Sequence, residues 1–471
     1  MSPQIPRREF LRVGATGSLI AALGLQHGCG QSADAGKPRT ARNVIFLVSD
    51  GMSLGTLVMA DALKRLQTGQ SSHWLSLYAR EEVRIAKMLT ASASSSVTDS
   101  AAASSAFGGG TRVANGSLNI RPDGTRNEPI LRLAKSAGLG AGLVTTATIT
   151  HATPAGFVAQ VGSRGDEEEV ASQYLEQGVD VLLGGGSDFF DRAKRKDGRD
   201  LLSEYSKVGY SMASSGSALS AVTGSKCLGL FSAGHMPYSL DLSAGGQDIP
   251  SLAQMTRHAL TTLSRGSTGF VLQVEGARID HAAHANDVGA LLRDQLAFDE
   301  ALGEVIRFVD GRDDTLVLLT SDHGNANPGL NGTGAAYSET DERFAKVAGF
   351  RQTNTWVLEG LSAKSTDADV RTRVQQGLGL QLLKEEADVL VAALRSEHRD
   401  SYRVRNAPLV ALGQVVANHC AVGWTGVSHT SDPTELVAFG PGSEGIRGLV
   451  PNTYLYECMV RALDLRRAKA A

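Results

Sequence analysis

Five short apolar runs, each ending on a polar residue able to bind metal or phosphate, constrain this chain more than any other feature. Asn43–Ser49 (Asn-Val-Ile-Phe-Leu-Val-Ser) ends at Asp50-Gly51, and residues 141–146 lead shortly to His151-Ala152-Thr153-Pro154. Residues 179–183 end in Gly184-Gly185-Gly186, 270–274 at Glu275-Gly276, and 315–320 at Asp322-His323-Gly324. Unbroken apolar runs separated by helical stretches predict strands buried on both faces of a sheet. The expected fold is therefore α/β: a large, mostly parallel central sheet flanked by helices on both faces. In such sheets ligands bind beyond the carboxyl ends of the strands. One Asp after a strand is ordinarily a turn residue; several strands ending this way predict a site.

The connecting helices are legible but say less. Val288–Val309 carries apolar residues at 288, 291, 292, 298, 302, 305, 306 and 309, the pattern of a helix covering one sheet face. Between 325 and 428 the pattern changes to Gly/Asn/Ser-rich turns at 327–338 and a helix around 385–395. We read 325–428 as an inserted cap-like subdomain of one catalytic domain, 41–471, with a strand returning at 435–439.

At 471 residues, 42% hydrophobic and 20% charged, the chain can bury a large core. A formal charge of −3 supplies no electrostatic footprint for nucleic acid, and the basic cluster Arg192, Lys194, Arg195, Lys196, Arg199, interrupted by Asp197, reads as a solvated loop. Residues 1–40 read as targeting: Arg7-Arg8-Glu9-Phe10-Leu11-Arg12 precedes a Gly/Ala/Leu-rich segment, 13–25, too short for a mature membrane span. This resembles a twin-arginine export signal and predicts passage through that machinery to a periplasmic or extracellular location. Gly28-Cys29 offers a lipid-anchor alternative, although Gln26 and His27 fit a lipobox poorly. Cys227, Cys420 and Cys458 lack metal-ligand spacing and read as buried free thiols.

The chemistry starts at Val97-Thr98-Asp99-Ser100-Ala101-Ala102. Alone, the Ser/Ala-rich run 91–106 reads as a linker; Asp99 followed by small helix-competent residues instead predicts Ser100 at a helix N-terminus. Amide groups and the positive dipole end would there favour an alkoxide or a phosphate oxygen. Asp280 and His284, in Asp280-His281-Ala282-Ala283-His284, stand one helical turn apart, so both can meet one cation. Asp322-His323 adds a carboxylate and an imidazole, and His429, in Ser428-His429-Thr430, a further imidazole. Four carboxylates (Asp50, Glu275, Asp280, Asp322) and three imidazoles (His284, His323, His429) suffice for two metals, which together can clamp the attacking and leaving oxygens of a phosphoryl displacement.

Taken in order, these motifs, together with Gly234-His235-Met236, resemble those of the alkaline phosphatases from about 43 to 465. The resemblance implies Ser100 as nucleophile through a phosphoseryl intermediate. Asp280, His284 and His429 would hold one zinc; Asp50, Asp322 and His323, with the Ser100 oxygen, a second. Asp50, Thr153 and Glu275 would hold a magnesium. Arg164, in Gly162-Ser163-Arg164, matches the family's phosphate-gripping arginine, a planar fork suited to two non-transferring oxygens. Asp99 either orients Arg164 or caps the helix. His151 and His281 stand where enterobacterial members carry Asp and Lys. That leaves open the third metal's identity and whether His151 binds it directly or through water. The implied substrates are small phosphate monoesters, and the implied assembly a homodimer. The alternatives are a phosphodiesterase of the same superfamily and a non-catalytic phosphate- or metal-binding protein; a sulfatase is excluded by the lack of a Cys or Ser followed by x-Pro-Ser-Arg.

Overall fold

The computed structural model describes residues 41–465; the twin-arginine segment and Cys29 lie outside them. Among the described residues fourteen strands are formed. β1 is Asn43–Ser49, β2 Arg84–Leu89, β3 Gly140–Thr148, β4 Val181–Gly185, β5 Ser211–Ala213, β6 Cys227–Leu230 and β7 Phe270–Gly276. Then come β8 Thr315–Thr320, β9 Gly324–Asn325, β10 Gly329–Leu330, β11 Val422–Gly423, β12 His429–Thr430, β13 Thr434–Phe439 and β14 Gly448–Pro451. Ten of them build one sheet in the order β14-β2-β13-β8-β1-β7-β3-β4-β6-β5. Only β13 runs against its neighbours, so the sheet is mostly parallel, as the apolar runs predict. The returning strand is therefore the antiparallel member, and β14 follows it to pair with β2.

Each central strand feeds two cores. Ile45 and Leu47 enter one hydrophobic cluster and Val44, Phe46 and Val48 the other, the two-residue alternation of a strand covered on both faces. On one face Phe46 stacks on Phe107 at 4.9 Å and meets Phe157 edge-on at 5.2 Å, which fixes the Ser100–Gly109 helix against the sheet. The other face is covered by Leu252–Leu263 and Val288–Val309. The same cluster contains Val347, Val357, Leu378, Leu412 and Trp424, so the helices of 325–428 share the core of that sheet face.

One expectation needs correction. Arg195 is 5% exposed and donates to the carbonyls of Phe189 (2.7 Å) and Glu168 (3.0 Å). It braces the start of the Glu167–Gln177 helix against the turn at Ser187–Phe189, while Arg192, Lys194 and Lys196 stay exposed. Burying a guanidinium requires acceptors around it, which composition cannot reveal. Cys227, Cys420 and Cys458 are buried and unpaired. Among the described residues no helix is long and apolar enough to cross a membrane.

Candidate metal and phosphoester site

Parallel register brings the polar ends of the apolar runs to one edge. Ser49 is level with Gly276, Val48 with Thr320, and Thr145 with Glu275, so Asp50, Glu275 and Asp322 leave three adjacent strands together. Immediately after Asp50 the chain turns at Gly51, with φ +67°, and a Cβ there would lie 2.4 Å from Asp280 Oδ1. Glycine is required on both counts. The Gly51 amide donates to Asp322 Oδ1 at 3.0 Å, tying the ends of β1 and β8.

Ser100 is the first residue of the Ser100–Gly109 helix and is 2% exposed. Asp99 does both things the sequence left as alternatives: Oδ1 accepts from the Ala102 amide at 2.9 Å, while Oδ2 accepts from the Gly116 amide (2.9 Å) and from Arg164 Nη1 (3.2 Å). The helix is held close by Gly156, where a Cβ would lie 2.1 Å from Ser104 Oγ. Ser100 Oγ lies 3.4 Å from His323 Nε2. That nitrogen also faces Asp322 Oδ2 at 3.1 Å and Asp50 Oδ1 at 3.7 Å.

Three groups of donor atoms converge, each within 4.8 Å: Asp280, His284 and His429; Asp50, Asp280 and His323; Asp50, His151 and Glu275. Asp280 thus serves two groups, and Asp50 two. In the first group each imidazole donates through Nδ1 to a main-chain carbonyl, His284 to Val427 (2.6 Å) and His429 to Thr98 (2.9 Å). In the neutral rings the Nε2 lone pairs, 3.1 Å apart, then both face the Asp280 carboxylate at 3.3 and 3.5 Å. Acceptors converging without a donor make a cation site, and the outer hydrogen bonds fix the ligating tautomer. Around the other two groups Asp50 Oδ1, Asp322 Oδ2, Glu275 Oε1 and His151 Nδ1 are buried without a hydrogen-bond partner. Burial first, then the charges of Asp322, Asp280 and Glu275, push the Asp50 carboxyl well above its usual range. Divalent cations would relieve both conditions, so the residues present fit metals. Thr153 Oγ1 lies 3.3 Å from Asp50 Oδ2, alongside the third group.

Several supporting residues escaped the sequence reading. Asn325 donates to Asp280 Oδ1 at 2.7 Å, Thr145 to Glu275 Oε2 at 2.5 Å, and Gln273 to the Thr153 carbonyl at 3.0 Å. Asn325 directly follows the Asp322-His323-Gly324 motif, which was the available signal; Thr145 and Gln273 sit inside apolar strands and gave none. His235 and His281 ring His151 at centroid distances of 5.7 and 5.8 Å. Burial first, with the guanidinium charges of Arg278 and Arg164 adding to it, pushes His235 down to about 4.

A serine on a helix N-terminus, an arginine beside it and three acidic and imidazole groups at the carboxyl edge of a mostly parallel sheet define a metal-dependent hydrolase of the α/β class. The family model for alkaline phosphatase matches residues 41–465. Alkaline phosphatase 3 of Bacillus subtilis is 30% identical over 457 residues, covering 95% of this chain and 94% of its own. Among solved structures, the Thermus thermophilus alkaline phosphatase is 37% identical with a TM-score of 0.87, over 95% of this chain and 96% of that one. The cold-active alkaline phosphatase of a Shewanella species is 27% identical with a TM-score of 0.76, over 89% and 99%. The chain belongs to the alkaline phosphatase family, and its activity is the hydrolysis of phosphate monoesters.

Proposed function

We propose that hydrolysis proceeds by in-line attack of Ser100 Oγ on phosphorus, giving a phosphoserine and the free alcohol, followed by attack of water that releases inorganic phosphate and restores Ser100. The observation carrying this reading is Ser100 Oγ lying 3.4 Å from His323 Nε2, the atom that also faces Asp322 and Asp50. Zinc ions held by Asp280, His284 and His429 and by Asp50, Asp322 and His323, and a magnesium held by Asp50, Thr153 and Glu275 with His151, would supply Lewis acidity that lowers the proton affinity of coordinated oxygens. The helix N-terminus favours negative charge on Ser100 Oγ and on phosphoryl oxygens. Arg164, half-exposed and oriented by Asp99, offers its fork to two of the three non-bridging oxygens of a monoester and would leave the third for the cations, whereas a diester has only two in all. Export through the twin-arginine route, a periplasmic or extracellular location and a homodimeric assembly belong to the same proposal and rest on the resemblance of sequence.

The test is kcat/KM for a nitrophenyl phosphate monoester against the matching diester, on protein supplied with zinc and magnesium, with metal content measured in parallel. We expect the monoester to be preferred by at least about 100-fold, with two zinc ions and a weaker third ion. A diester preference would move the enzyme to another branch of the superfamily, and one tightly bound metal would sink the three-ion site.

A further inference from the structure

Arg164 touches a second partner besides Asp99: its Nη2 lies 2.9 Å from His151 Nε2. A guanidinium carries only donors, so Nε2 must accept and the neutral ring must carry its proton on Nδ1. Nδ1, however, is the buried nitrogen that lies 3.9 Å from Glu275 Oε1, within the group formed with Asp50. Ligating a cation through Nδ1 requires the opposite tautomer, with the proton on Nε2 and aimed at the guanidinium. Two donors cannot share that 2.9 Å contact. We infer that His151 is a positioning residue with two exclusive states: it either accepts from Arg164 through Nε2 or ligates the third cation through Nδ1, so that cation binding frees Arg164 for the substrate phosphate.

The inference rests on the proposed three-ion site and adds to it a coupling between one ion and the arginine. His151 side-chain exposure is 11% and that of Arg164 32%, so the arginine has room to move and the imidazole little. The bond to Asp99 at 3.2 Å is compatible with both states and keeps Arg164 at the site in each. Because coupling between sites is reciprocal, Arg164 must weaken the third cation as much as the cation weakens the Arg164–His151 contact.

The experiment uses the metal-stripped protein loaded with two equivalents of zinc and then titrated with magnesium or further zinc. Third-ion affinity is measured by calorimetry, and the His151 ring nitrogens are followed by 15N resonance, assigned through His151→Ala. As the third ion binds, the unprotonated nitrogen should change from Nε2 to Nδ1. Arg164→Ala should tighten the third ion about tenfold; in a His151→Ala background the same change should alter affinity less than about twofold. An equal gain in both backgrounds would mean that Arg164 acts only through its charge, overturning the inference. So would three bound ions with the Nε2 nitrogen still unprotonated. Both of those results leave the three-ion site standing, whereas uptake of only two ions would overturn the site and the coupling together.

Discussion

The inner and outer halves of the site are built on different terms. In the inner half, around Asp280, His284, His429, Asp322 and His323, main chain orients three of the ligands, the carbonyls of Val427 and Thr98 holding two imidazoles and the Gly51 amide holding Asp322, while the Asn325 side chain holds Asp280. In the outer half His151 has its far nitrogen on the Arg164 guanidinium, the group proposed to hold the substrate phosphate. Peptide groups cannot leave, but an arginine can. On the proposed three-ion reading the inner cations would be placed by the fold, and the outer one would compete with a side chain.

The largest effect should follow from breaking the inner half at its shared member. Asp280→Asn should lower kcat/KM by at least about 10³-fold and remove one or both inner ions; retention of a tenth of the activity with full metal content would show that Asp280 is not shared. A smaller effect is expected one bond further out. Asn325→Ala leaves Asp280 without its 2.7 Å donor and should weaken inner metal binding by about 10- to 100-fold, measured by competition with a chelator. If affinity is unmoved, the orientation of Asp280 is set elsewhere.

The smallest effect on turnover is expected at Asp294, a buried carboxyl that accepts from the Ser239 amide and hydroxyl and feels the charge of Arg278, which donates to His281 Nδ1 at 2.7 Å. Burial pushes Asp294 up to about 7, against the opposing charge of Arg278 and the hydrogen bonds of Ser239. An acid raised in the folded state binds its proton more tightly there than when unfolded. Its stabilisation is therefore complete below about pH 4 and is lost as pH rises towards 7. Asp294→Asn should change kcat/KM less than about threefold, while its stability relative to the parent rises by about 2–4 kcal/mol between pH 4 and 8. Urea unfolding at the two pH values decides it, and parallel curves would show that Asp294 titrates normally.

Much of the fold was legible because the signals are local. The five apolar runs became β1, β3, β4, β7 and β8, and Val288–Val309 formed with the boundaries its periodicity set. The i, i+4 spacing of Asp280 and His284 and the Asp99 cap ahead of Ser100 were readable for the same reason. The strands β2, β5, β6 and β14 were not, because they are short or lie near the sheet's edges and carry mixed patterns. The buried role of Arg195 was hidden too, since besides the nearby Asp197 carboxylate its acceptors are carbonyls of two other segments.

By itself the sequence determined which side chains end the strands, and so the kinds of donor at the site. Only the tertiary structure decided how they are shared. His429 reaches Asp280 because β12 pairs with β9, setting His429 opposite Asn325, and Asp280 enters two groups because Gly51 leaves it room. His151 meets Arg164 across a loop that carries no periodic pattern. Strand and helix periods are written within a few residues, whereas the sharing of a ligand depends on where distant segments close upon one another.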